Sequence, residues 1–188
     1  ARARRVMPSR STTTTGPAVG DLLDEIASLS DKVTAEHGVQ CCGGEVTLLQ
    51  NGDAFYPAML QAIREAKDSV NFETYIFEPD EIGTQFMEAF KDRARAGVEV
   101  RFLIDGFGGL KLKKRYREEL QKAGVRVVRF RPFAFRNLVR IYRREHRRAT
   151  VIDGKIGFTG GAAVSKKWKG NVRNEHEWRD SMTQVTGP

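Results

Sequence analysis

The sequence predicts an α/β fold built on a mixed, mostly parallel sheet, and three observations carry that prediction. Between Val46 and Phe130, short apolar runs of strand length alternate with longer stretches whose apolar residues recur every three or four positions. Gly97 and Gly124 stand where helices would stop, and each is followed at once by a valine-rich run. Repeats of about 30 residues, strand then helix then strand, mark parallel β-α-β units.

The elements follow in order. Residues 1–16 are rich in Arg, Ser and Thr with almost no large apolar side chains, so they read as a flexible lead-in. Leu22, Leu23, Ile26 and Leu29 recur at helical spacing behind Asp21, which makes 17–45 a peripheral helix and linker ending in a Gly- and Cys-containing break. Residues 46–188 then form the main domain. Val46 to Leu49 is a strand, and Asp53 is placed to cap a helix striped by Phe55, Met59, Ile63 and Ala66. Val70 to Phe77 alternates as a strand does, with Val70, Phe72, Thr74 and Ile76 on one face and Asn71, Glu73, Tyr75 and Phe77 on the other. A helix carrying Ile82, Phe86, Phe90 and Ala94 leads to a strand from Val98 to Ile104. Another, burying Leu112, Tyr116 and Leu120, leads to a strand from Val125 to Phe130. Asp105-Gly106-Phe107-Gly108-Gly109 falls at a strand's carboxyl end, where such sheets hold ligands; a tight strand-to-helix connection accounts for it equally well.

Composition narrows the partners. The chain has 188 residues, 40% hydrophobic and 30% charged, with a net charge of +8, which fits a globular protein that meets an anion: a phosphodiester, a nucleic acid or an acidic lipid surface. The two cysteines, Cys41 and Cys42, are adjacent and form neither a disulfide framework nor a metal-ligand spacing. No apolar run approaches the roughly 18 to 20 residues of a membrane span, so any membrane contact would be peripheral or use other parts. No metal or cofactor is expected, since neither a His-Glu-x-x-His nor a dense carboxylate cluster accompanies the histidine singled out below.

The densest chemistry runs from His146 to Gly161. Asp153-Gly154 joins Ala149–Ile152 to Lys155–Thr159, a two-residue hairpin signal. A strand reaching back through His146 would set His146, Arg148, Thr150 and Ile152 on one face, so an imidazole and a fixed cation point together. Gly160-Gly161 beyond the second strand would let backbone amides approach an anion. That set suits a nucleophilic imidazole attacking phosphorus while guanidinium and amides hold the non-bridging oxygens. The imidazole needs an acceptor on its other nitrogen, for which Asp180 is the first candidate and Glu177 or Glu73 the alternates. Upstream, residues 126–148 interleave nine arginines, Arg143 and Arg144 among them, with Phe130, Phe133, Phe135 and Tyr142. The forked cations suit phosphate and the rings suit stacking or an interface. His176 lies between Glu175 and Glu177 and reads as a surface residue.

These residues resemble the phospholipase D superfamily, whose signature is His-x-Lys, four residues, Asp, six residues, then Gly-Gly or Gly-Ser. Here it reads His146-Arg147-Arg148, Asp153 and Gly160-Gly161. Asn51-Gly52-Asp53-Ala54-Phe55, Phe72-Glu73-Thr74-Tyr75-Ile76-Phe77, Phe158-Thr159-Gly160-Gly161 and Glu177-Trp178-Arg179-Asp180 look like the first half of the bacterial cardiolipin synthase-like branch. The resemblance implies an α/β sandwich with helices flanking the sheet, and metal-free catalysis through a phosphohistidine on His146. Arg148 and Asp153 complete the motif, and Glu73, Tyr75, Arg143, Arg144 and the two glycines approach the substrate. It implies phosphatidyl transfer or phosphodiester hydrolysis on an anionic phospholipid at a membrane surface. A nuclease of the same superfamily, or an anion-binding module without turnover, are the alternatives. It also implies a second half or a homodimer partner, because the family's site needs two motifs. Two departures stand out: Arg148 replaces the family lysine, and Ala163 replaces a frequent asparagine.

Overall fold

The computed structural model describes residues 44–132 and 144–187. The chain divides into two units, Ala1–Cys42 and Gly43–Pro188, and every described residue belongs to the second. The expected lead-in over 1–16, and all but the end of the helix and linker over 17–45, lie outside the described residues.

Seven strands form one mixed sheet: β1 (Glu45–Gln50), β2 (Ser69–Thr74), β3 (Glu99–Asp105), β4 (Arg126–Phe130), β5 (Ala149–Ile152), β6 (Ile156–Gly160) and β7 (Ser181–Thr186). Their spatial order is β1-β7-β6-β5-β2-β3-β4. β2, β3 and β4 pair in parallel, as the 30-residue units predict. All other pairings are antiparallel. Five strands therefore run one way, and only β5 and β7 oppose them. β7 has no counterpart in the sequence reading, because Met182 is its only buried residue and its pattern of small polar residues carries no clear period.

Three helices, α1 (Gly52–Glu65), α2 (Glu81–Arg95) and α3 (Lys114–Lys122), contribute to a core shared with the sheet. The predicted stripes are the buried ones: Phe55, Met59, Ile63 and Ala66 from and just after α1, and Ile82, Phe86 and Phe90 from α2. Val70, Phe72 and Thr74 of β2, Val100, Phe102 and Ile104 of β3, and Thr150 and Ile152 of β5 form the buried sheet face. Phe72 meets Phe86, Phe90 and Phe102 at centroid separations of 5.5, 5.0 and 5.6 Å, in tilted or edge geometry that favours aromatic pairs.

Local chemistry corrects two expectations. Asn51, not Asp53, holds the cap position of α1, with φ 64, and Asp53 lies in the first turn. β2 ends at Thr74, so strict alternation fails beyond it, and Phe77 is fully buried although the pattern places it on the outer face. Gly97 stops α2 with φ 89, as expected. No helix among the described residues is long and apolar enough to cross a membrane.

Candidate functional site

Strand polarity gathers the chemistry at one end of the sheet. The carboxyl ends of β1, β2, β3, β4 and β6 lie together with the amino ends of β5 and β7. That end carries Asn51, Tyr75, Asp105, Gly160-Gly161, the approach to β5 through His146 and Arg148, and Asp180 just before β7.

His146 lies outside β5, which begins at Ala149, so the expected continuous strand is interrupted there. Its ring is exposed and stacks on Tyr75, with centroids 4.0 Å apart and planes 24° from parallel. Among the described residues no acceptor bonds either ring nitrogen of His146. The stack, not an orienting carboxylate, fixes the ring plane. Arg148 begins the inward-facing series continued by buried Thr150 and Ile152. It lines a small cavity with Thr150, Thr74, Ala162 and Ala163, and its Nε is buried there without a partner. That Nε–H is a donor still to be satisfied in a small recess otherwise walled largely by Met59, Phe72, Val164 and Met182, while Nη1 of the same guanidinium donates to the His146 carbonyl at 3.4 Å. Thr159 Oγ donates to the Arg148 carbonyl at 3.1 Å, tying that residue to β6.

A second tier of residues holds this geometry. Asp105 is fully buried and accepts from the N–H groups of Phe107 (2.7 Å), Gly108 (3.0 Å) and Glu145 (3.1 Å). The last bond clamps the backbone one residue before His146. Gly108 packs against Tyr75 so closely that a Cβ would stand 2.1 Å from the Tyr75 carbonyl oxygen. The glycine-rich loop after β3 therefore serves as a platform for the Tyr75–His146 stack, the packing reading of that loop. On the outer sheet face, burial and then the neighbouring Glu145 push Glu73 above the usual glutamate range, which Arg147 partly counters. Glu145 itself is held below that range, chiefly by its hydrogen bonds from the Arg147 guanidinium (3.0 and 3.3 Å).

Several predicted site residues have other engagements. Asp153 sits at the opposite end of β5, in the hairpin turn with φ 52. Its carboxylate accepts from the N–H groups of Lys67, Asp68 and Ser69, all at 2.8 Å. It fastens the β5-β6 turn to the start of β2 and does not face His146. Asp180 accepts from Trp168 Nε1 (3.1 Å) and Ser181 N (2.8 Å), so its oxygens serve the β7 entry and not the imidazole. Glu177 accepts from Asn171 N, Arg173 N and Asn174 Nδ2. A Cβ at Gly161 would lie 2.6 Å from Asp180 Oδ1, and one at Gly160 2.5 Å from the Ser181 carbonyl oxygen, so the crossing chain around 180–182 already requires both glycines. Arg144, expected at the substrate, is turned inward: 3.8 Å from Asp105, 3.3 Å from the Arg131 carbonyl, and over the Phe107 ring. Arg143 and the other residues of 133–143 lie outside the described residues. Asp105 and Thr159, which the sequence set at a strand's carboxyl end and in the Phe158–Gly161 stretch, brace the backbone around His146 and Arg148 in a way that spacing does not reveal. Their effect passes through backbone bonds made far along the chain, and only the buried acid at a strand's end hinted at one of them.

A family profile described as "Cardiolipin synthase, PLD-like domain" matches residues 59–177. The chain belongs to this family. Among curated relatives of this PLD-like domain, it is 40% identical over 141 residues to "Cardiolipin synthase 1" of Bacillus anthracis, covering 74% of this chain and 28% of that protein. It is 39% identical over 145 residues to "Cardiolipin synthase A" of Pseudomonas fluorescens (strain SBW25), covering 77% and 30% respectively. It thus spans less than a third of the length of these relatives. Two solved structures share the fold. The phospholipase D family member Nuc from Salmonella typhimurium has a TM-score of 0.56 at 17% identity, over 77% of this chain and 84% of that one. NucT from Helicobacter pylori has 0.58 at 18% identity, over 77% and 86%.

Proposed function

We propose that this PLD-like domain supplies one half of a metal-independent phosphatidyltransferase site in which His146 becomes phosphorylated. The observation that carries the reading is the exposed His146 ring, stacked on Tyr75 beside the buried, unpaired Arg148 Nε. A ring nitrogen of His146 attacks the phosphorus of a phospholipid phosphodiester; a P–N bond forms and the P–O bond to the leaving alcohol breaks. Arg148 holds a non-bridging oxygen as charge builds. The leaving alkoxide takes its proton from an acid that a second PLD-like half or a second copy of the chain provides. An incoming alcohol then breaks the P–N bond, returns a proton to that acid and regenerates the imidazole. Water in its place gives hydrolysis.

Glu73 and Tyr75 border the approach, and Gly160-Gly161 let the chain ahead of β7 close on the cavity beside Arg148. The relatives' names support a phospholipid substrate over a nucleic acid. His146→Ala in the enzyme carrying this domain, assayed on phosphatidylglycerol vesicles, is expected to lose turnover by about a thousandfold or more, as removal of a covalent nucleophile does. Unchanged turnover overturns the reading. Cleavage of single-stranded DNA in preference to phosphatidylglycerol replaces it with a nuclease, and binding without turnover on either replaces it with an anion-binding module.

A further inference from the structure

The loop from Ser165 to Asp180 leaves the same end of the sheet as His146 and is built in an unusual way. Its base is fixed: Asp53 N donates to the Gly170 carbonyl at 3.1 Å, Trp178 N to the Lys167 carbonyl at 2.8 Å, and Arg173 pairs with Asp53 at 3.2 Å. Its tip is strained. Val172 has φ 58, a left-handed conformation that a β-branched residue rarely adopts. The Glu177 carboxylate holds it there by accepting from the N–H groups on both sides, Asn171 (3.0 Å) and Arg173 (2.8 Å). The strain gains no burial, since Val172 is 42% exposed. Trp178, 50% exposed, stands edge-on to buried Trp168 and beneath the Lys167 ammonium, 5.1 Å from its ring centroid. Lys166, Lys167 and Arg179 are exposed and form no ion pair among the described residues.

We propose that this loop docks the domain onto an anionic lipid bilayer, with Val172 and Trp178 entering the interface and Lys166, Lys167 and Arg179 meeting the head groups. The surface is specific to this loop but rests on the phospholipid reading above. An aliphatic tip held outward has no use against a nucleic acid, where affinity comes from phosphate contacts and ring stacking. It fits the apolar margin of a bilayer, where tryptophan concentrates and basic residues gain from anionic lipid. The carboxylate that grips Val172 keeps the apolar residue presented, and the cations of the loop, Lys167 against the Trp178 ring among them, give the approach its preference for negative surfaces.

The test uses the full chain with His146→Ala, so that binding is read without turnover. Trp168→Phe makes Trp178 the sole indole, because the sequence has two tryptophans. On phosphatidylcholine vesicles containing phosphatidylglycerol, Trp178 emission should shift to the blue and be quenched by brominated acyl chains, with little change on phosphatidylcholine alone. Replacing Lys166 and Lys167 together by alanine should weaken partitioning about thirtyfold, taking about 1 kcal/mol for each basic residue at an anionic surface. Val172→Gly should raise the melting temperature by releasing the strained φ, yet lower vesicle affinity. A merely structural loop would show the first effect without the second. Absence of a Trp178 response to anionic vesicles, equal binding to neutral ones, or stronger binding of single-stranded DNA overturns the docking surface. Turnover of a soluble short-chain phosphodiester, measured on the enzyme with His146 intact, reports on the catalytic reading separately.

Discussion

Replacing Asp153 by alanine separates a structural role from a catalytic one, because this motif residue makes three backbone bonds and none to His146. Each bond to a carboxylate contributes about 1.5 to 3 kcal/mol when buried. The Lys67 and Asp68 donors are exposed and water can reclaim them, so the whole loss is about 2 to 4 kcal/mol. For a chain of 188 residues that lowers Tm by roughly 5 to 15 °C. Burial raises the Asp153 pKa, but the N–H groups of Ser69, Lys67 and Asp68 more than offset it and leave the carboxyl below the usual aspartate range. A depressed folded pKa means the contribution is complete above the unfolded value near pH 4 and is lost as pH falls through the folded one. Thermal melts of Asp153→Ala and wild type should therefore differ most at neutral pH and converge in acid, while turnover of whatever stays folded remains within a few fold. A hundredfold loss of turnover at an unchanged Tm would refute this assignment and return Asp153 to the chemistry.

Asp105→Ala removes the acceptor of three N–H groups in a fully buried position and should cost about 3 to 5 kcal/mol, read in urea unfolding. Asp105→Asn should keep more of the stability while still slowing turnover, since it loosens the bond from Glu145 N beside His146. Gly161→Ala forces a Cβ toward Asp180 and should destabilise by about 1 to 3 kcal/mol; because Asp180→Ala removes the clashing oxygens but also their bonds from Trp168 and Ser181, the double variant should lose less than the sum of the two single variants. Glu73→Gln should be the more stable protein at neutral pH. A raised folded pKa makes the wild-type side chain lose stability as pH rises from the ordinary glutamate value through the folded one, so the two proteins should converge below about pH 4.

The parallel half of the fold is written plainly in the sequence because local periodicity determines it: Phe55, Met59, Ile63, Phe86 and Phe90 stand at helical spacing and all are buried. The Asp153-Gly154 hairpin was legible for the same reason, since a two-residue turn is a local device. β7 was not, because its partners β1 and β6 are distant in the chain and its residues are mostly half exposed. At the site, spacing drew attention to His146 and Arg148, the family resemblance added Tyr75, and His146 and Tyr75 stack in space. Spacing also grouped Asp153 and Asp180 with them; Asp153 lies at the far end of β5, whereas Asp180 shares the His146 end without bonding its ring. A strand carries its two ends to opposite sides of the sheet, and a tryptophan twelve residues before Asp180 takes the bond expected for the imidazole.

The covalent state of His146 during turnover tests the account most directly. Acid-labile, base-stable label from head-group phosphorus should be trapped by rapid quench and mapped to the peptide containing His146, and it should vanish in His146→Ala. Turnover at the wild-type rate with no label on His146, or with label on another residue, would contradict it.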